Sequence, residues 1–149
     1  KERPIGREEP ILSGKMLSQI LIMGGFGTLL CTIFLKSDYV RAFFGYEINE
    51  MKMLTAFFGL FIFTGLAICF TARSERLNLL AGISKNKAFL CIMALIVAVQ
   101  LLMLYYGGAT FRGVGLSLGG LLLVNACSLT VIPADIFRRC IMKLFDKRI

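Results

Sequence analysis

Four apolar runs of nearly equal length govern what this chain can fold into: Met16–Leu35, Met53–Thr71, Ala88–Tyr106 and Val114–Phe137. Each is about as long as the roughly 20 residues a helix needs to cross the hydrocarbon core of a bilayer. None holds a Lys, Arg, Asp or Glu until Asp135. A helix in a soluble bundle would carry polar residues at every turn on one face, but Met53–Phe70 offers only Thr55 and Thr64. In hydrocarbon no water satisfies the backbone, so each span must close its hydrogen bonds internally as a helix. The expected fold is all-α: four transmembrane helices in two hairpins, spanning about residues 16–35, 53–71, 88–106 and 114–137. A cytoplasmic loop, 1–15, precedes them, and a short basic cytoplasmic tail, 138–149, follows.

Composition agrees with this reading. Hydrophobic residues make up 57% of the 149 and the mean hydropathy is +0.77, more than a soluble core of that size needs. The first run is no cleaved signal peptide, because it follows a charged, proline-containing segment and lacks a small-residue cleavage pattern.

The net charge of +8 matters through its placement. Lys1, Arg3, Arg7 and Lys15 precede the first run; Arg73, Arg76, Lys85 and Lys87 lie in the 72–87 loop; Arg138, Arg139, Lys143, Lys147 and Arg148 lie in the tail. The other two loops hold only Lys36, Arg41 and Lys52, and then Arg112. Cytoplasmic loops retain Lys and Arg, so both termini and the middle loop are expected in the cytoplasm. In "FTARSERLNLL", Phe70 is then leaving the membrane, and Arg73 and Arg76 mark the exit. A nucleic-acid partner is not expected, because three separated basic segments form no continuous face with stacking aromatics. The tail's basic residues are expected at anionic headgroups.

Within the spans, Gly24, Gly25 and Gly27, like Gly119 and Gly120, form no phosphate loop, since G-x-x-x-x-G-K-[ST] is absent. Small residues in a membrane helix let a neighbouring backbone approach, so helix packing is expected there. Gln19, Gln100 and Asn125 are amides in or near hydrocarbon, and each is expected to face a neighbouring helix or a backbone carbonyl. Pro133 should kink or loosen the fourth helix. Asp135, three and four residues before Arg138 and Arg139, should form an interfacial ion pair. Cys31, Cys69, Cys91, Cys127 and Cys140 form no C-x-x-C pair and there is no histidine, which argues against zinc. They are expected to act as small, buried apolar side chains.

"KERPIGREEPIL", "KMLSQILIMGGFG", "FTARSERLNLL", "SKNKAFL", "VAVQLLMLYYGG", "FRGVGLSL" and "VIPADIFRRCIMKL", in that order, resemble the C-terminal transmembrane region of P-type calcium-transporting ATPases, especially bacterial ones. The resemblance implies that the four spans are the seventh to tenth of ten helices in a longer chain in the plasma membrane. It implies that residues 1–15 are the cytoplasmic loop after the sixth helix, with Lys1, Arg3 and Pro4 in the stretch that couples it to the phosphorylation domain. The family's second proline is replaced by Ile5, and the asparagine of its Phe-Asn-x-Arg pattern by Thr71. The glycines at 24–27 resemble the surface that packs against the fifth helix.

Aligned on "FTAR", Ile68 falls where some relatives carry an ion-binding glutamate or glutamine. An isoleucine offers no oxygen to a cation needing about six to eight, so Ile68 is expected to be a non-ligand. The phosphorylated D-K-T-G motif is absent, and the chain starts mid-loop at Lys1 without an initiator methionine, as expected of a fragment. This segment is expected to hold no catalytic, cofactor-binding or metal-binding residue of its own; Ca2+, ATP and Mg2+ belong to the parent. Its partners are the bilayer and the parent's first six helices and cytoplasmic domains. The rival expectation is a free-standing four-helix transporter such as a proton-coupled exporter, which would need an ionisable group inside the membrane. The first three spans supply none.

Overall fold

The computed structural model describes residues 14–45, 50–73, 86–108 and 114–146. Its elements are α1 (Gly14–Lys36), α2 (Asp38–Phe44), α3 (Glu50–Ala72), α4 (Lys87–Tyr106), α5 (Leu118–Leu129) and α6 (Val131–Asp146). The described residues are helical with no strand, and four helical stretches are long and apolar enough to cross a membrane: Met16–Lys36, Glu50–Ala72, Lys87–Tyr106 and Leu118–Leu144.

Local chemistry explains the ends of these helices. Asn86 accepts a hydrogen bond from the Phe89 amide at 3.1 Å, and Ser117 accepts one from the Gly120 amide at 3.2 Å, each satisfying a donor the first helical turn leaves open. The second cap moves the start of the fourth span from Val114 to Leu118, with 114–117 an extended lead-in. The short α2, inside a segment expected only as a loop, stops at Gly45, whose left-handed φ of 63° suits a residue without a Cβ.

The fourth span is broken where Pro133 requires it. A proline at 133 clashes with the carbonyl four residues earlier, and α5 ends at that residue, Leu129. Thr130 interrupts the helix, and α6 restarts with Pro133 in its first turn, where a missing N–H costs nothing. Far from ending at Phe137, the helix then runs on to Asp146.

In chain order the spans thread as two hairpins, but packing centres on α3, the most buried of the four. It contacts α1, α4, α5 and α6, and its most extensive partner is α5 rather than either sequence neighbour. Met53, Ala56, Leu60 and Phe63 of α3 meet Phe34, Phe44, Leu104, Leu116 and Val124 in the main core. Lipid is as apolar as these side chains, so close packing rather than hydrophobic transfer holds them. Gly59 lets α4 and α5 converge on α3: a Cβ there would lie 3.6 Å from Val124 and 3.7 Å from Leu104. Gly120 is tighter still, with Phe44 Cε1 2.8 Å from where its Cβ would be. Leu21, Ile33, Leu95 and Leu122 point outward, suited to lipid.

Contacts between distant segments sort the helix ends. Ser18 Oγ donates to Met142 Sδ, Arg139 bonds the Thr71 carbonyl, and Phe70 stacks near Phe89 at 6.4 Å. The start of α1, the end of α3, the start of α4 and the body of α6 therefore share one end of the bundle. At the other end, the Thr55 hydroxyl accepts from the Val114 amide at 3.2 Å, and the Tyr105 hydroxyl donates to the Leu116 carbonyl at 3.0 Å.

Candidate functional site

Two features stand out against this frame: a groove along α3 and a buried ionic cluster at the end of the bundle where α3 finishes.

The groove has a volume of about 710 Å³ and an almost wholly apolar surface. Its floor is the outer face of α3, from Phe57 to Cys69; α1 forms one wall, and Met93 and Ile96 of α4 form the other. Gly24 and Gly27 line it from α1, and Ile68 from α3. Gly27 is buried: a Cβ there would lie 3.5 Å from Thr64 Cγ2 and 3.6 Å from Ile68 Cδ1. Gly24 and Gly25 are exposed, and no described atom lies within 4 Å of where a Cβ would sit. The three glycines thus divide: Gly27 serves the α1–α3 contact, and Gly24 leaves open space in the groove.

Its donor set is poor for a hard cation. Ile68 contributes hydrocarbon, and the side-chain oxygens lining the groove are the hydroxyls of Thr28, Thr32 and Thr64. Thr28 and Thr32 donate to the carbonyls of Gly24 and Thr28 in their own helix. Among the described residues no cluster of three or more His, Cys, Asp or Glu could hold a metal ion.

The ionic cluster is built by the α6 restart. Asp135 is fully buried, and one carboxylate oxygen accepts from Arg138 Nε at 2.9 Å while the other accepts from Arg139 Nε at 2.6 Å. Arg138 and Arg139 are 8% and 5% exposed, so the cluster is covered by the protein itself. The pairs that the sequence spacing suggested form: because α6 continues past Phe137, helical spacing turns both guanidinium groups onto Asp135, and Arg139 also reaches the Thr71 carbonyl of α3. Arg138 Nη1 also reaches Met142 Sδ at 3.3 Å.

Arg73 lies at the end of α3, its guanidinium carbon 5.5 Å from the centre of the Phe89 ring. Arg76, Lys1, Arg3 and Pro4 lie outside the described residues.

The amides divide. Asn125 Nδ2 donates to Leu121 O within its own helix at 2.9 Å rather than across an interface. The buried Nε2 atoms of Gln19 and Gln100 find no hydrogen-bond partner among the described residues. Of the five free thiols, Cys31 and Cys127 are half-buried, whereas Cys69, Cys91 and Cys140 are exposed because they fall on the outer faces of their helices.

Residues 1–141 match the family model described as "Cation transporting ATPase, C-terminus". The chain belongs to this family. The cation-transporting ATPase C-terminal segment is also 33% identical, over 101 residues, to "Calcium-transporting ATPase 7, plasma membrane-type" of Oryza sativa subsp. japonica. That alignment covers 67% of this chain and 9% of the rice protein, so the segment spans a small part of that relative. The relative is a plant protein and lends no support to a bacterial origin. No solved structure gives a significant match. With the family shown over nearly the whole chain, the free-standing exporter reading loses its footing.

Proposed function

We propose that this segment is the fixed supporting half of the membrane domain of an ATP-driven calcium pump, and that its groove seats the ion-binding helices of the longer chain. Alternating access requires one bundle to hold still while another gates. The observation that carries the reading is the groove, which gathers Gly24, Gly27 and Ile68 on one face with room for a further helix. The core around α3 supplies the rigidity such a support needs.

On this reading calcium is cargo, as the name of the rice relative says of that protein, and Ile68 faces the cargo's helices without binding it. ATP and Mg2+ act on the cytoplasmic domains, to which Lys1, Arg3 and Pro4 would connect. Both termini are cytoplasmic, and Arg73 and Arg76 meet the headgroups where α3 leaves the membrane.

The test uses the full reading frame and the full-length protein. A D-K-T-G motif upstream, and ATP-driven calcium uptake into inside-out vesicles that stops when its aspartate is replaced, is the expected result. A start codon near Lys1, or no ATP-dependent uptake from an intact and folded protein, would overturn the reading.

A further inference from the structure

A chain of contacts joins the restart of the fourth span to the wall of the groove. One oxygen of the fully buried Asp135 accepts from Arg139 Nε at 2.6 Å, and Nη2 of the same guanidinium donates to the Thr71 carbonyl. Thr71 is fully buried as well and donates its hydroxyl to the Ile68 carbonyl at 2.9 Å. Ile68 lines the groove, with its Cδ1 3.6 Å from where a Cβ on Gly27 would sit.

These bonds act where α3 is otherwise least constrained. The last four carbonyls of a helix lack partners within it, so a terminal turn frays or shifts unless something outside takes them. The helix ends at Ala72, which puts Thr71 among those four. Neither apolar cluster takes in an α3 residue beyond Ile68, and there Arg139 joins α3 to α6 through a hydrogen bond. Ile68 and Cys69, the part of the groove wall nearest this end, lie within about one turn of it.

We propose that Arg139 is a positioning residue for the ion-binding helices: anchored by Asp135, it holds the Thr71 carbonyl, fixes the last turn of α3, and so sets the wall those helices meet at Ile68. This rests on the reading that the groove seats the pump's other helices, and adds a residue outside the groove that governs its shape. The effect runs through the α3 backbone and asks nothing of the Ile68 side chain as a ligand.

The test is made in the full-length protein in membranes. Arg139→Met leaves Asp135 paired with Arg138, whose Nε donates to the other carboxylate oxygen at 2.9 Å, so the carboxylate is not stranded. Thr71→Val removes the next bond in the chain, from the Thr71 hydroxyl to Ile68. In Arg139→Met, hydrogen–deuterium exchange should quicken over residues 68–73 and stay parent-like over 53–63. Both variants should lose apparent calcium affinity by at least about threefold while the maximal ATPase rate stays within about twofold of the parent. Arg139→Lys keeps a cation and a donor but not the guanidinium fork, and should fall between the parent and Arg139→Met. Parent-like exchange in Arg139→Met would show that the end of α3 does not depend on Arg139. Faster exchange with unchanged calcium affinity would show that the effect stops short of the ion-binding helices. Either result overturns the proposal, and if Arg139→Met does not fold, parent-like calcium affinity in Thr71→Val overturns it alone. A photoreactive benzoylphenylalanine at Gly65, on the groove wall, separates this from the underlying reading. Cross-links to another helix of the same chain leave the groove's occupant in place whatever Arg139 does, and adducts with lipid alone overturn both.

Discussion

Arg139 of α6 donates from Nη2 to the backbone carbonyl of Thr71, near the end of α3, at 2.5 Å, although the two residues are 68 apart in sequence. The bond places a cation at the negative end of the α3 helix dipole and satisfies a carbonyl among those a helix terminus leaves open. Asp135 holds the same guanidinium from the other side, so one carboxylate ties the break in the fourth span to the end of the second.

Asp135→Asn should therefore be strongly destabilising. Removing one partner of a buried pair costs about 3–5 kcal/mol, because the remaining charges are stranded. The thermal midpoint of the full-length protein in detergent should fall well below that of Lys143→Met, a change at an exposed charge of the same helix. Equal midpoints would show that the cluster contributes little.

Gly27→Leu should disturb the α1–α3 contact. A Cβ at Gly27 would already touch Thr64 and Ile68, so three more carbons overpack the interface at a cost of about 1–3 kcal/mol. Lower yield and reduced calcium transport are expected. At Gly25 no described atom lies within 4 Å of where a Cβ would sit, so the effect of Gly25→Leu reports mainly on what lies outside the segment. Normal yield and transport in both variants would mean that the α1 glycines face lipid.

At the other end, Gly120→Ala should push against Phe44, whose Cε1 would lie 2.8 Å from the new methyl. A destabilisation of about 1–3 kcal/mol is expected, with part recovered when Phe44→Leu is added. Strictly additive effects in the double-mutant cycle would show that the two residues do not meet.

Ile68→Ala in the full-length pump should change apparent calcium affinity by less than about threefold, or under roughly 0.7 kcal/mol, because a hydrocarbon side chain is being replaced by a smaller one. A tenfold loss in a protein that still folds and is phosphorylated would assign position 68 a part in the ion site.

The proposed sidedness rests on the Lys and Arg distribution. In sealed inside-out vesicles, a cysteine at Ser84 should react with an impermeant thiol reagent, and one at Asn49 should be protected. The reverse pattern would invert the topology.

The four spans, their helical state and the break near Pro133 were legible in the sequence, because each rests on local rules: span length, the absence of charge, and a missing backbone donor in a fixed ring. The pairing of Asp135 with Arg138 and Arg139 was also legible, because three- and four-residue spacing on a helix is local. Its burial was not, since that depends on α6 continuing past Phe137 and finding Thr71, a contact no spacing encodes. The same distinction separates Gly27 from Gly25: the sequence presents one glycine cluster, and only the approach of α3 decides which member is buried. Gly59 gave no signal as a lone glycine, yet it sits where α4 and α5 converge on α3. Thr64 and Thr28 look equivalent in sequence, and packing of the Thr64 methyl on Gly27 distinguishes them. The sequence alone determined that these residues cross a membrane as helices, because hydrocarbon leaves a backbone almost no alternative. Which helix became the hub, and which faces were left open as a groove, was decided by tertiary packing, because lipid and protein interior are equally apolar and only shape distinguishes them.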